Sequence, residues 1–172
     1  SHIKNTIADI APDFVMKRQL DDYQERFYSK LWTRSQKLKR SHHKAATELV
    51  KWKSRMRKAW DAIELIKLEA PDTYNHSLPL GDHFKAEISL HIQQLEQQDL
   101  GVEVVFFKRH SETQLQLISC RPLEAAGQEG SVALWRCDFK PQTAGVFEYG
   151  FRLYPTHPLL PHLQDFGLVR WL

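Results

Sequence analysis

The chain has 172 residues, 42% of them hydrophobic and 26% charged, with a formal net charge of +3. That supplies core material for one globular domain or two small ones, and it excludes a disordered tail and a helical membrane protein, since no run of about 18 apolar residues occurs. Two cysteines, Cys120 and Cys137, with no Cys-x-x-Cys or metal spacing, exclude a disulfide scaffold and predict free thiols in a reducing, cytoplasmic setting.

The N-terminal SHIKNTIADI has neither an initiator methionine nor the apolar core of a signal peptide, and is expected to continue from a longer chain. Ile3, Ile7 and Ile10 form a short helical stripe that Ala11-Pro12 stops. A longer helix is predicted from about Phe14 to Lys39, capped by Asp13, with Met16, Leu20, Tyr23, Phe27 and Leu31 on one face. Ser41 caps a third predicted helix, in which Ala45, Leu49, Trp52, Met56, Trp60 and Ile63 keep the three-and-four spacing to about Leu68. Residues 1–80 contain no glycine, in keeping with helix. The Met16–Leu31 stripe needs cover, and the expectation is antiparallel pairing with the Leu49–Trp60 stripe, with self-association as an addition.

Between Arg34 and Lys58 ten lysines and arginines face a single acid, Glu48. Clustered cations are what a polyanion site requires. Here no nucleic-acid recognition motif accompanies them, and Trp52 and Trp60 fall on the apolar stripe, so a solvated helix face is the preferred reading.

EAPDTYNHSLPLGD ends the helical period and reads as a linker. The chain is thus divided into a helical region over 1–70, a linker over 71–82 and a β domain over 83–172. In the β domain FKAEISLHI alternates by twos, with Phe84, Ala86, Ile88, Leu90 and Ile92 on one face. Four more strands are predicted over 101–108, 113–120, 131–139 and 145–155, with AAGQEGS and KPQTAG as turns. The fold class is therefore α+β, about three helices followed by a small antiparallel β-sandwich of immunoglobulin-like type.

Chemistry is sparse. There is no glycine-rich phosphate loop, no Gly-x-Ser-x-Gly and no His-Glu-x-x-His, and neither His42-His43 nor His157 with His162 has a good two-ligand spacing on a helix. Catalytic, cofactor-binding and metal residues are accordingly expected to be none. Aromatic rings of the β half, Trp135, Tyr149, Tyr154 and Trp171, are the remaining candidates, since exposed rings stack on sugar faces. Trp135 and Tyr149 lie on apolar strand faces and read as core. Tyr154 lies on the opposite face and is the better candidate carbohydrate contact.

Two stretches carry a resemblance. IKNTIADIAPDFVMKRQLDDYQERFY, through Lys4, Asn5, Ile7, Ala11, Pro12, Phe14, Arg18, Tyr23, Phe27 and Tyr28, resembles the end of the catalytic region of α-glucan (glycogen or maltodextrin) phosphorylases, from which Thr6 and Gln19 depart. Gly81, Asp82, Phe84, Gly145, Phe147, Tyr149, Arg152, Pro155, His157, Pro158 and Trp171 are similar, in order, to the tail of the bacterial branch of that family. The resemblance implies a glycosyltransferase that phosphorolyses terminal α-1,4 glucosyl units to glucose 1-phosphate with pyridoxal phosphate. It places the cofactor lysine and phosphate-binding residues upstream, so the chain itself would be noncatalytic and without cofactor, partnered by the upstream catalytic domains and, through them, by the glucan. It also implies that the aromatic stripe packs on another domain. A free-standing carbohydrate-binding module, or a basic helical nucleic-acid adaptor, would each account for one half of the chain only.

Overall fold

The computed structural model describes residues 16–72, 82–111, 114–141, 148–160 and 162–172. The predicted first helix around Ile3–Ile10 lies outside the described residues, as do most of the linker and the phrase containing Gly145 and Phe147. Two compact units divide between Lys51 and Trp52.

In the first unit, helix α1 (Met16–Tyr23) runs into a π turn, Gln24–Tyr28, and then into helix α2, Ser29–Trp60, which continues past the unit boundary. The Gln24 carbonyl accepts from the Ser29 amide across the wider turn and, at 2.7 Å, from the Ser29 hydroxyl as well, five residues on. The predicted helix break near Ser41 is not an element boundary. It survives as one residue, His43, at φ 64°, inside the assigned helix. Met16, Leu20, Tyr23, Phe27 and Leu31 are 54–69% exposed, so the expected burial of this stripe in an intrachain helical pair is not what forms.

The helix ends at Trp60, and Glu64–Glu69 is strand β1, which corrects the predicted run of helix to Leu68. The three-and-four spacing stops at buried Ile63. Beyond it Leu65, Ile66 and Leu68 follow no helical stripe, and the segment pairs antiparallel with β2 (Phe84–His91) across a bulge between Leu65 and Lys67. The other strands are β3 (Leu100–Arg109), β4 (Leu115–Pro122), β5 (Glu124–Glu129), β6 (Val132–Phe139), β7 (Glu148–Pro155) and β8 (Arg170–Trp171). They form two four-stranded sheets of antiparallel pairs, in the orders β1-β2-β6-β5 and β4-β3-β7-β8. The five predicted strands are β2, β3, β4, β6 and β7. β5 occupies most of the AAGQEGS piece predicted as a turn, which corrects that expectation. It forms because Gly127, at φ 127°, takes up a bulge and Gly130, at φ 58°, closes the tight turn into β6.

The core of this unit joins the inward rows of both sheets. Ile88, Leu90, Val102, Val104, Ala133 and Leu153 are fully enclosed. Phe84 of the first sheet meets Phe106 and Tyr149 of the second edge to face, with centroids 5.2 and 5.0 Å apart. Trp52, Met56, Trp60 and Ile63 are buried as well, and the last turns of α2 are pinned chemically. Asp99, itself buried, accepts from Trp52 Nε1 at 2.7 Å and from Arg55 at 3.0 Å. Arg170 donates to the carbonyls of Trp60 and Ile63 at the helix C-terminus.

Candidate functional site

Strand alternation sends Gly101, Glu103, Val105 and Phe107 of β3 to the outer face of the second sheet, together with Gly150, Arg152 and Tyr154 of β7. Trp171 of β8 pairs with Arg152 and joins them. Two of these positions are glycine for a visible reason. A Cβ on Gly101 would stand 2.5 Å from the Tyr154 ring, and one on Gly150 would stand 3.2 Å from the Trp171 indole. Each glycine therefore seats an aromatic ring low on the sheet.

Between the rings lies an ion pair. Arg152 Nε donates to Glu103 Oε1 at 2.7 Å, and the Glu103 side chain is only 9% exposed against 32% for Arg152. Such a shielded carboxylate is tolerable because the guanidinium satisfies it. The same guanidinium sits 5.8 Å from the Trp171 ring centroid, and Phe107 meets that indole edge on at 6.4 Å.

Tyr154, the residue singled out in the sequence, is thus half-buried on this face. Burial, and secondarily the Glu103 charge, raises the pKa of its phenol above the ordinary value. Trp135 is buried in the core, as expected; Tyr149 packs its ring on Phe84 but is only part-buried, and its hydroxyl donates to the Pro71 carbonyl at 2.5 Å. What sequence reasoning left unassigned is Trp171. Trp52, Trp60 and Trp135 are 2–6% exposed, whereas Trp171 is 54% exposed. A two-residue strand carries no periodicity, so only the proximity of an arginine-bearing strand in the fold marks it.

The basic stretch is engaged in part by its own unit. Arg55 holds Asp99, Lys53 donates to the Asp165 carbonyl at 3.0 Å, and Arg57 lies 5.0 Å from the Phe166 ring centroid. These are packing roles at the end of α2. His157 stacks on Trp52 at 4.7 Å and accepts from the Leu159 amide, so its ring is structural. Among the described residues no group of three His, Cys, Asp or Glu side chains is placed to hold a metal ion, and no helix is long and apolar enough to cross a membrane.

An open depression of about 570 Å3 lies on the first sheet, lined by Glu69, Lys85, Glu87, Glu124, Arg136 and Asp138 among others. Its charges pair internally, Arg136 with Glu87 at 2.7 Å and Lys85 with Asp138 at 3.4 Å. Hydrogen bonding from His83, then from Lys85, holds the Asp138 carboxyl below its usual range. Both cysteines are free.

Residues 60–172 match the family described as glycogen phosphorylase C-terminal domain. Among curated proteins the chain is 26% identical to a maltodextrin phosphorylase of Thermococcus litoralis, over 98% of this chain and 20% of that protein. It is 21% identical to the glycogen phosphorylases of Mycobacterium bovis and Mycobacterium tuberculosis, over 97% of this chain and 19% of theirs. The chain therefore spans about a fifth of the length of the curated relatives it matches. No solved structure matches it.

Proposed function

The chain belongs to the family of glycogen phosphorylase C-terminal domains, and on that premise we propose that it is the noncatalytic C-terminal part of an α-glucan phosphorylase. The parent would release glucose 1-phosphate from the α-1,4 ends of glycogen or maltodextrin, in the cytoplasm. The observation that carries this reading is the match of nearly the whole chain to only a fifth of each relative. The catalytic domains and the glucan-cleaving site would then be partners supplied by the rest of the polypeptide.

Pyridoxal phosphate would act in those upstream domains. The residues described here do not fit it: a cofactor lysine needs an enclosed pocket, and no described lysine is buried. Within the parent, the helical region up to Trp60 would continue from the catalytic domains, and the β part, from β1 (Glu64–Glu69) onward, would form the C-terminal domain, with 71–82 connecting β1 to β2. We read that domain as an immunoglobulin-like β-sandwich. The order β1-β2-β6-β5 follows A-B-E-D, and β4-β3-β7-β8 follows C′-C-F-G, which supports the reading. Tyr154 would be a glucan contact on its outer face, and the apolar helix face of α1 would pack on an upstream domain, or on a second copy when that domain is missing.

The test is enzymatic. The parent is expected to consume phosphate and maltodextrin and to yield glucose 1-phosphate, with pyridoxal phosphate bound upstream of this chain. The isolated chain is expected to retain no pyridoxal phosphate after dialysis and to release no glucose 1-phosphate. Cofactor bound stoichiometrically to the isolated chain, trapped on one of its lysines by borohydride, would overturn the reading.

A further inference from the structure

An indole that keeps 54% of its surface in water forgoes about half of the burial open to a large apolar side chain, so its placement asks for a cause. Trp171 is also held: Gly150 gives it a seat, Phe107 stands at its edge, and the Arg152 guanidinium lies beside it. We infer that Trp171 is the principal sugar-stacking residue of a second glucan contact, formed by the outer face of the β4-β3-β7-β8 sheet with Tyr154 and the Arg152–Glu103 pair, and separate from any glucan-cleaving site. This rests on the phosphorylase reading for the identity of the sugar.

Three features select a neutral oligosaccharide. The rings of Trp171 and Tyr154 lie against glycines, so neither is lifted off the sheet by a side chain beneath it, and together they present a shallow platform to the apolar C–H faces of pyranose rings. Between them Arg152 is matched by Glu103, which leaves hydrogen-bonding N–H groups and the Tyr154 hydroxyl for sugar hydroxyls without a net charge to attract phosphate or nucleic acid. Lastly, Gly150 and Tyr154 are four residues apart along β7, about 13 Å at strand rise, which suits a short run of linked units better than a single sugar. Trp171, with the more open ring, would bear the main stacking contact, and half-buried Tyr154 would mark the far end.

The experiment uses the whole chain and an internal control. Trp32 of α2 is 67% exposed and Trp171 is 54% exposed, so N-bromosuccinimide should oxidise both, and peptide mass mapping resolves them. Maltoheptaose at millimolar concentration is expected to protect Trp171 and leave Trp32 reactive. Equal oxidation of both at saturating maltoheptaose would overturn the inference, as would equal protection by the β-linked cellohexaose. In native gels containing glycogen, Trp171→Leu, which keeps apolar cover over Gly150, should weaken retardation by about tenfold, the ratio expected for one lost ring contact. Unchanged retardation of a folded Trp171→Leu chain would likewise sink it. Failure here is distinguishable from failure of the phosphorylase reading: a parent that phosphorolyses maltodextrin while its Trp171 is never protected keeps the reading and removes this site. A parent with no phosphorolysis but a maltoheptaose-protected Trp171 does the reverse.

Discussion

Asp99 shows how one side chain can join two elements distant in sequence. It is 6% exposed, accepts from Trp52 Nε1 at 2.7 Å, from Arg55 at 3.0 Å and from the Glu96 amide at 3.3 Å, and so ties the last turns of α2 to the start of β3. A shielded carboxylate is costly unless its oxygens are filled, and here they are. Asp99→Ala is expected to cost about 3 kcal/mol in urea unfolding, because it strands an indole N–H and an arginine, with Asp99→Asn intermediate. A melt indistinguishable from wild type would show that the cluster is ornamental. Gly101 makes a steric prediction: Gly101→Ala should cost about 1 to 3 kcal/mol through its clash with the Tyr154 ring and, at 2.9 Å, with the Thr156 methyl, and Tyr154→Ala should restore part of that. Additive losses would mean that the ring does not lie there. The thiols differ too. Cys120 is exposed, whereas burial pushes the half-buried Cys137 thiol above its ordinary value. The sign is that of an acid kept protonated by the fold, so mass-mapped alkylation near pH 8 should label Cys120 first, and Cys137 should catch up only as pH rises further or the chain unfolds. Labelling of Cys137 ahead of Cys120 would contradict the assigned burial.

At the scale of elements, what was legible in the sequence follows from periodicity. Phe84, Ala86, Ile88 and Leu90 alternate on β2 and are all buried, and the Trp52–Met56–Trp60 spacing marks the buried face of α2. β1, β5 and β8 were not legible, since each takes its strand form from a neighbour: β1 and β5 lie at the edges of the first sheet with every residue exposed, and β8 has only two residues. The candidate platform was half legible for the same reason. Tyr154 could be placed by alternation on a long strand, but its partner Trp171 is brought beside Arg152 only by the closing strand. Arg170, next to it, tests that strand's structural role. Its guanidinium donates to the carbonyls of Ile63 at 2.8 Å and of Trp60 at 3.4 Å, the latter also accepting from the Ile63 amide at 3.3 Å, and so braces the turn that follows the helix. Arg170→Ala should therefore cost about 1.5 to 3 kcal/mol and raise amide exchange in the last turn of α2, with Arg170→Lys in between. Unchanged exchange there would mean that β8 does not hold the helix end.

For the whole molecule the decisive feature is an apolar surface that its own fold leaves open. Met16, Leu20, Tyr23, Phe27, Tyr28, Leu31 and Trp32 are 54–69% exposed along α1, the π turn and the start of α2. The spacing that places the Met16–Leu31 stripe on one face was plain in the sequence. Its cover was not, because periodicity states that a face is apolar and is silent on which chain buries it. If the missing cover is an upstream domain of a phosphorylase, a charge at the centre of the stripe should act differently in two settings. Phe27→Asp in this chain alone is expected to leave the melting temperature within a degree or two and to reduce concentration-dependent light scattering, since the ring is already in water. The same substitution in the parent should remove burial worth roughly 1.5 to 3 kcal/mol, add an uncompensated carboxylate to a packed interface, and lower its melting temperature accordingly. The two arms separate the accounts. A chain that unfolds on its own when Phe27 is replaced would show the stripe to be internal cover, and a parent indifferent to the change would show that no upstream domain rests on it.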